Sequence, residues 1–116
     1  MADEGSGPSD REEEVQITFV KSKDGKERTI PVWFTVDQGK LELLPMYGLR
    51  TKWFLDVEKS GKLSLQTKDW KKEASPKIVK EPSVIEGIKL RFSRKYGESH
   101  VRRYYASQDV ALEIPL

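Results

Sequence analysis

The most chemically suggestive residues fall in one short run, Gly48-Leu49-Arg50-Thr51-Lys52-Trp53-Phe54. Two cations bracket a hydroxyl, just after a glycine that lets the backbone come close to a ligand. The residues that follow read as a helix start with Thr51 as N-cap, and Phe54 in place of an acid leaves it without a capping box. Acidic side chains are the ones that suit the positive end of a helix dipole, so Arg50 and Lys52 oppose it. They fit if an anion sits on the free amides of the first turn, with the Thr51 hydroxyl and both side chains converging on it. The alternative is two exposed cations tolerated at a cost of about a few tenths of a kcal/mol. Further along, Tyr104 and Tyr105 could close over a planar ring or give a proton to a reduced product; packing against the body of the fold is their other reading. The single histidine, His100, follows Ser99 in a polar segment and reads as a surface residue.

Other chemistry is poorly supplied. The chain has no cysteine, which removes disulfides, thiolate metal sites and thiol nucleophiles. No Ser–His–Asp arrangement and no metal-ligand spacing stands out, so no catalytic residue and no metal site is assigned. No apolar run approaches the roughly 18 residues of a membrane span. The opening MADEGSGPSD is acidic and rich in Gly, Ser and Pro, unlike a signal or transit peptide, and a cytoplasmic location is expected.

Periodicity shows which elements must position these groups. Residues 1–14 carry six acids against Arg11 alone and are expected to be a disordered acidic tail. That tail offsets a basic body, residues 15–116, which suits a phosphate-bearing or acidic ligand or, equally, a lysine-rich soluble surface. From Val15 the apolar residues alternate, and "KSKDGKE" reads as a hairpin loop with Asp24–Gly25 supplying positive φ. "RTIPVWFTV" is a second strand, with Ile30, Val32, Phe34 and Val36 inward, Pro31 and Trp33 outward and Arg28 at the rim. Pro31 implies a locally unpaired or bulged strand. Trp33 needs a cover: the C-terminal helix, a second subunit or a planar ligand. "DQGK" turns the chain into "LELL"; "KLSLQT", a weaker "ASPKIVK" and the closing "DVALEIP" complete about six strands. "TKWFLDVEKS" is a short helix after the third strand, stopped at Gly61. "PSVIEGIKLRFSRKYG" is a longer one with Ser83 and Glu86 as a capping box, and Ser99 is placed to cap another short helix. Together these describe one α+β domain built on a small split β-barrel.

The order R-T-I-P-V-W-F, D-x-G-K-L, G-x-x-T-K-W-F and L-S-L, with "FSRKYGESHVRRYY…DVALEIPL" at the end, resembles the flavin-binding split-barrel superfamily. Pyridoxamine-phosphate-oxidase-like and deazaflavin-dependent nitroreductase-like proteins belong to it, and the resemblance covers nearly all of the chain after residue 14. It implies an FMN- or deazaflavin-dependent oxidoreductase of nitroreductase or quinone-reductase type, with the cofactor held at a homodimer interface. The implied cofactor residues are Arg28, Pro31, Val32 and Trp33 on the second strand, and Gly48, Arg50, Thr51, Lys52 and Trp53 at the helix start. The implied chemistry is the ring's own, with the protein supplying position and exclusion of water. Two positions depart from the pattern. Asp56–Val57 stands where many relatives have Asn–Leu, and Arg28 is the one basic side chain on the second strand where the phosphate oxidases have more. Deazaflavin, haem or no cofactor therefore stay open beside FMN. Two other function classes also remain. One is a nucleic-acid-binding small barrel that uses Trp33, Trp53, Trp70 and "KDWKK"; against it, the aromatics do not alternate with lysines along one strand. The other is a cofactor-free interaction module on the same fold.

Overall fold

The computed structural model describes residues 8–9, 11–105 and 108–116. Most of the expected acidic tail, residues 1–7 and Asp10, lies outside the described residues. The described residues form eight strands and three α-helices in the order β1 (Val15–Val20), β2 (Glu27–Val32), β3 (Thr35–Asp37), β4 (Lys40–Leu43), α1 (Lys52–Ser60), β5 (Leu63–Thr67), β6 (Trp70–Ala74), β7 (Lys77–Val79), α2 (Pro82–Tyr96), α3 (Glu98–Tyr104) and β8 (Ala111–Pro115). They build two antiparallel four-stranded sheets, β2-β1-β5-β6 and β3-β4-β8-β7. The α+β class stands, but the expected six-stranded barrel becomes eight strands in two sheets that do not close, and the short helix follows the fourth strand.

The count differs for identifiable reasons. The expected strand over residues 28–36 is broken at Trp33–Phe34, where the chain passes from one sheet to the other. Side chains replace the ladder there: the Phe34 amide donates to the Tyr96 hydroxyl (3.0 Å), and the Phe34 carbonyl accepts from the Lys95 ammonium (2.8 Å). With its backbone satisfied from α2, Phe34 can be fully buried without a strand partner. The extra strand β6 carries Lys71, Lys72 and Glu73, a composition that hides a strand from an alternation test but suits a sheet edge. Pro31 makes no bulge. It lies opposite Gln16 in unbroken register, and β2 tolerates it as an edge strand.

Local signals otherwise act as their chemistry dictates. Gly25 has φ 72° in the β1–β2 loop, and Gln38 and Gly39 both take positive φ in the two-residue β3–β4 turn. α1 ends on Gly61 at φ 81°, whose amide donates to the Val57 carbonyl (2.7 Å). The expected caps of the later helices are corrected. α2 starts with Pro82 after Glu81, without a side-chain cap from Ser83; α3 follows Gly97, so Ser99 lies inside it. Proline needs no amide partner at the first helical position, which makes the capping box dispensable.

Two apolar clusters flank the second sheet. Ile17, Phe34, Leu41, Phe54, Leu65, Leu112 and Ile114 pack between the sheets, while Leu44, Ile85, Ile88, Phe92, Val101 and Tyr105 join α2 and α3 to its other face. β4 is therefore buried on both sides, and Glu42, on the helix-facing side, is only 2% exposed. Its carboxylate accepts from Arg91 Nε on α2 (2.8 Å) and from the Thr35 hydroxyl (2.7 Å), with Arg91 Nη2 on the second oxygen. This pairing holds the Arg91 guanidinium's pKa above its ordinary value, through the Glu42 hydrogen bond first.

Candidate functional site

The break between β2 and β3 leaves Trp33 outside either ladder, and its ring is held by aromatic neighbours. Tyr96 stacks on it at 4.1 Å with 6° between planes, and Tyr104 meets it edge-on at 5.9 Å. Tyr105 is tilted at 6.1 Å, and Phe92 supports both Tyr96 and Tyr105 from behind. The cover expected for Trp33 thus comes, on one face, from a helix of its own chain. The Tyr96 hydroxyl is also 2.7 Å from the Glu13 carbonyl, so the segment entering β1 is tied to the same corner.

Beside this corner lies a cavity of about 390 Å³. Ile30, Pro31, Val32 and Trp33 of β2 form one wall; Leu44, Met46 and Tyr47 form another. Thr51 and Trp53 come from the start of α1, Tyr104 and Tyr105 from the end of α3, and Glu14 from just before β1. Both parities of β2 contribute because the cavity runs along the free edge of the sheet. A volume within about 300–1,000 Å³, mostly apolar walls and a few polar groups are the usual properties of a small-molecule site. Tyr105 is buried, and burial, then the Tyr96 phenol, pushes its hydroxyl's pKa well above the ordinary value. It remains a neutral hydroxyl at any working pH.

The basic run is built differently from the expected anion seat. Gly48, Leu49 and Arg50 form a 3-10 turn, in which Gly48 takes φ 59° and the Leu49 amide donates to Asp109 (2.9 Å). Thr51 holds the N-cap position of α1, yet its hydroxyl makes no cap bond to the helix; it accepts from the Tyr47 amide (2.8 Å). Arg50 closes the 3-10 turn, an end where a cation suits the dipole. Arg50 and Lys52 are exposed and outside the cavity lining, as are Arg28, exposed on β2, and Gly48, buried in the turn. The structure therefore brings together Pro31, Val32, Trp33, Thr51, Trp53, Tyr104 and Tyr105, and leaves Arg28, Gly48, Arg50 and Lys52 outside. The departure at Asp56 has a local role: its carboxylate accepts from both the amide and the hydroxyl of Ser22, at 3.0 and 2.8 Å, and ties α1 to the β1–β2 loop.

Glu14, Ile30, Leu44, Met46 and Tyr47 complete the lining and were not singled out by the sequence. Ile30 reads as interior and Glu14 as tail; the available signal was Met46–Tyr47, two large apolar residues in a loop, 38% and 66% exposed. His100 lies outside the lining, edge-on to Trp33 at 6.5 Å. Among the described residues no group of His, Cys, Asp or Glu could hold a metal ion, and no helix is long and apolar enough to cross a membrane.

No family model and no curated protein matches the chain. Solved structures do. An F420-H2-dependent reductase superposes with TM-score 0.66 over 87% of this chain and 92% of its own, at 17% identity. Rv2991 of Mycobacterium tuberculosis gives TM-score 0.76 over 98% and 80%, at 14% identity. The heme storage protein HutZ of Vibrio cholerae gives 0.68 over 90% and 82%, at 13% identity. The chain shares the split-barrel fold of these structures. A further neighbour with this fold, 17% identical over 87% of this chain and 78% of its own, at TM-score 0.66, is a domain-swapped dimer.

The split-barrel cavity can be tested against the groups such a fold implies. Its apolar walls and aromatic rings fit a flat heteroaromatic ring. A phosphate finds only the Thr51 end, with Arg50 and Lys52 nearby in the chain but outside the lining. A haem iron finds no histidine there.

Proposed function

We propose that the chain is an oxidoreductase that seats a flavin or deazaflavin ring in this cavity. The observation that carries it is the continuous apolar wall Ile30–Trp33 facing Trp53 and the tyrosine pair, on a fold shared with an F420-H2-dependent reductase. Bound there, the ring would supply hydride chemistry. Pro31 and Val32 present backbone and apolar surface to it, Trp33 is fixed by its Tyr96 stack, and Trp53 closes the α1 side. Tyr105 contributes a neutral hydroxyl, and Tyr104, 42% exposed, stands at the rim. A phosphate on the ring's side chain would have to extend past Thr51 to reach Arg50 and Lys52, which are exposed and outside the lining. In this reading a second copy of the chain packs over the exposed Met46, Tyr47 and Tyr104; that a neighbour with this fold is a domain-swapped dimer supports dimerisation. A nucleic-acid platform is less well supported, because Trp33 and Trp53 line the cavity while Trp70 packs against the core between the sheets.

The test is titration of purified protein with FMN, riboflavin and F420, read by ligand and tryptophan fluorescence. Saturable binding that Trp33→Ala weakens at least tenfold is expected. The proposal fails if none of the three binds at micromolar concentration.

A further inference from the structure

The charge of the cavity points to a ligand class. Among its lining residues there is no lysine, arginine or histidine, and one carboxylate, Glu14. Among the described residues no hydrogen bond or ion pair engages the Glu14 side chain. Around it stand five aromatic rings. Trp33 has one face covered by Tyr96, whereas Trp53 and Tyr47 have no ring partner among the described residues. Tyr104 already has a cation beside its ring, Arg103, with the guanidinium carbon 5.9 Å from the centroid. Ring faces carry negative partial charge, and several of them beside a carboxylate make a seat for an organic cation. The nearby cations that oppose this, Arg50, Lys52 and Arg103, lie outside the lining; they are exposed, as Glu14 is, so solvent screens all four charges and Glu14 acts by being the one in the lining.

We propose that the cavity binds an organic cation, a flat ring bearing a quaternary or protonated nitrogen, with its charge against Glu14 and its ring between Trp53, Tyr47 and Tyr104. Its role as the substrate of the oxidoreductase rests on the function proposed above; the binding itself does not. Selection follows from charge as well as shape. An anionic ring of the same size meets the Glu14 carboxylate and loses the attraction of the ring faces.

Three isosteres separate charge from shape: N-methylquinolinium, quinoline and quinoline-6-carboxylate, titrated at pH 8 into the full chain. Binding is read from the indole N–H resonances of Trp33 and Trp53. One charge at contact distance in a wet site is worth about fivefold in affinity, so the cation should exceed the neutral ring, and the neutral ring the anion, by about that factor each. Glu14→Gln should bring the three within about twofold, and Glu14→Lys should reverse the order. Equal binding, tightest binding by the carboxylate, an order unchanged in Glu14→Gln, or no binding at millimolar concentration each overturns the proposal. Riboflavin titrated into the same protein keeps the two proposals apart. If riboflavin fails while the cation order holds, the substrate role falls and the cation site stands. If riboflavin binds and the order is absent, the cation site alone falls.

Discussion

Replacing Arg91 with methionine tests what holds α2, and with it the Trp33 wall, against the second sheet. The Glu42 carboxylate that Arg91 reaches is 2% exposed, while the Arg91 side chain is 28% exposed and has a second acid, Asp37, at 3.7 Å. Removing one partner of a fully buried ion pair costs about 3–5 kcal/mol, because the other charge is stranded. Here the figure is reduced. The Thr35 hydroxyl keeps its bond to Glu42, and the guanidinium is partly solvated, so about 2–3 kcal/mol is expected. For a chain of this size that lowers the unfolding midpoint by about 8–12 °C. Arg91→Met combined with Glu42→Leu removes the stranded charge and should return to within about 1 kcal/mol of the parent. The guanidinium pKa is raised by folding, so its contribution is complete below the unfolded value and lost only as pH rises through the folded one. Urea denaturation at neutral pH of the parent, both single variants and the double variant gives the coupling energy directly. A single-variant loss under about 0.5 kcal/mol, or a coupling near zero, would refute the reasoning.

Other perturbations probe the site more locally. Tyr96→Phe keeps the stack on Trp33 but strips the Phe34 amide of its acceptor, at a cost of about 1–2 kcal/mol in urea unfolding, with a change in tryptophan emission. In an alkaline titration followed at 295 nm, a late step above the ordinary tyrosine range should appear, and Tyr105→Phe should remove it. The sign follows from a phenol pKa raised by folding: the associated stability is full below the unfolded value of about 10 and declines as pH rises towards the folded one. Asp56→Ala should speed hydrogen exchange at the Ser22 amide and cost about 1 kcal/mol, because two bonds between α1 and the β1–β2 loop are lost.

The elements best written in the sequence are those whose information is local. Alternation fixes β1, β4, β5 and β8, Asp24–Gly25 fixes the first loop, and Gly61 and Gly97 stop two helices. Of the residues that line the cavity, Pro31, Trp33, Thr51, Tyr104 and Tyr105 are conspicuous as residue types, whereas Val32 and Trp53 are singled out as cofactor residues only by the family resemblance. Non-local facts were not readable. That Glu42 is buried depends on Arg91, 49 positions away, and an isolated glutamate in "LELL" reads as an outward residue. That Glu14 reaches the cavity depends on the β1–β2 register and on the Tyr96 bond to Glu13, while its composition places it in a tail. Arg50 and Lys52 show the limit of spacing read alone. Their spacing around Thr51 suggested convergence, but the 3-10 turn uses the Thr51 hydroxyl for the Tyr47 amide and turns both cations to solvent.

One local device accounts for both the failed strand and the cavity. A continuous strand from Arg28 to Val36 would have paired Trp33 within a single sheet and left no free edge beside it. Lys95 and Tyr96 prevent this by taking the Phe34 backbone, so Phe34 turns into the core and Trp33 is left against the end of α2. The β2 edge then stops in open space, bounded by the loop after β4 and by the tyrosines that end α3. The last residues of α2 thus do two things at once. They satisfy the chain as it changes sheets, and they fix one of the rings that line the cavity. Loosening α2 at Arg91 should therefore weaken ligand binding as well as stability, although Arg91 does not line the cavity. Binding that survived a loss of about 2 kcal/mol in stability without change would mean that Trp33 is held by Tyr104 and Tyr105 rather than by α2.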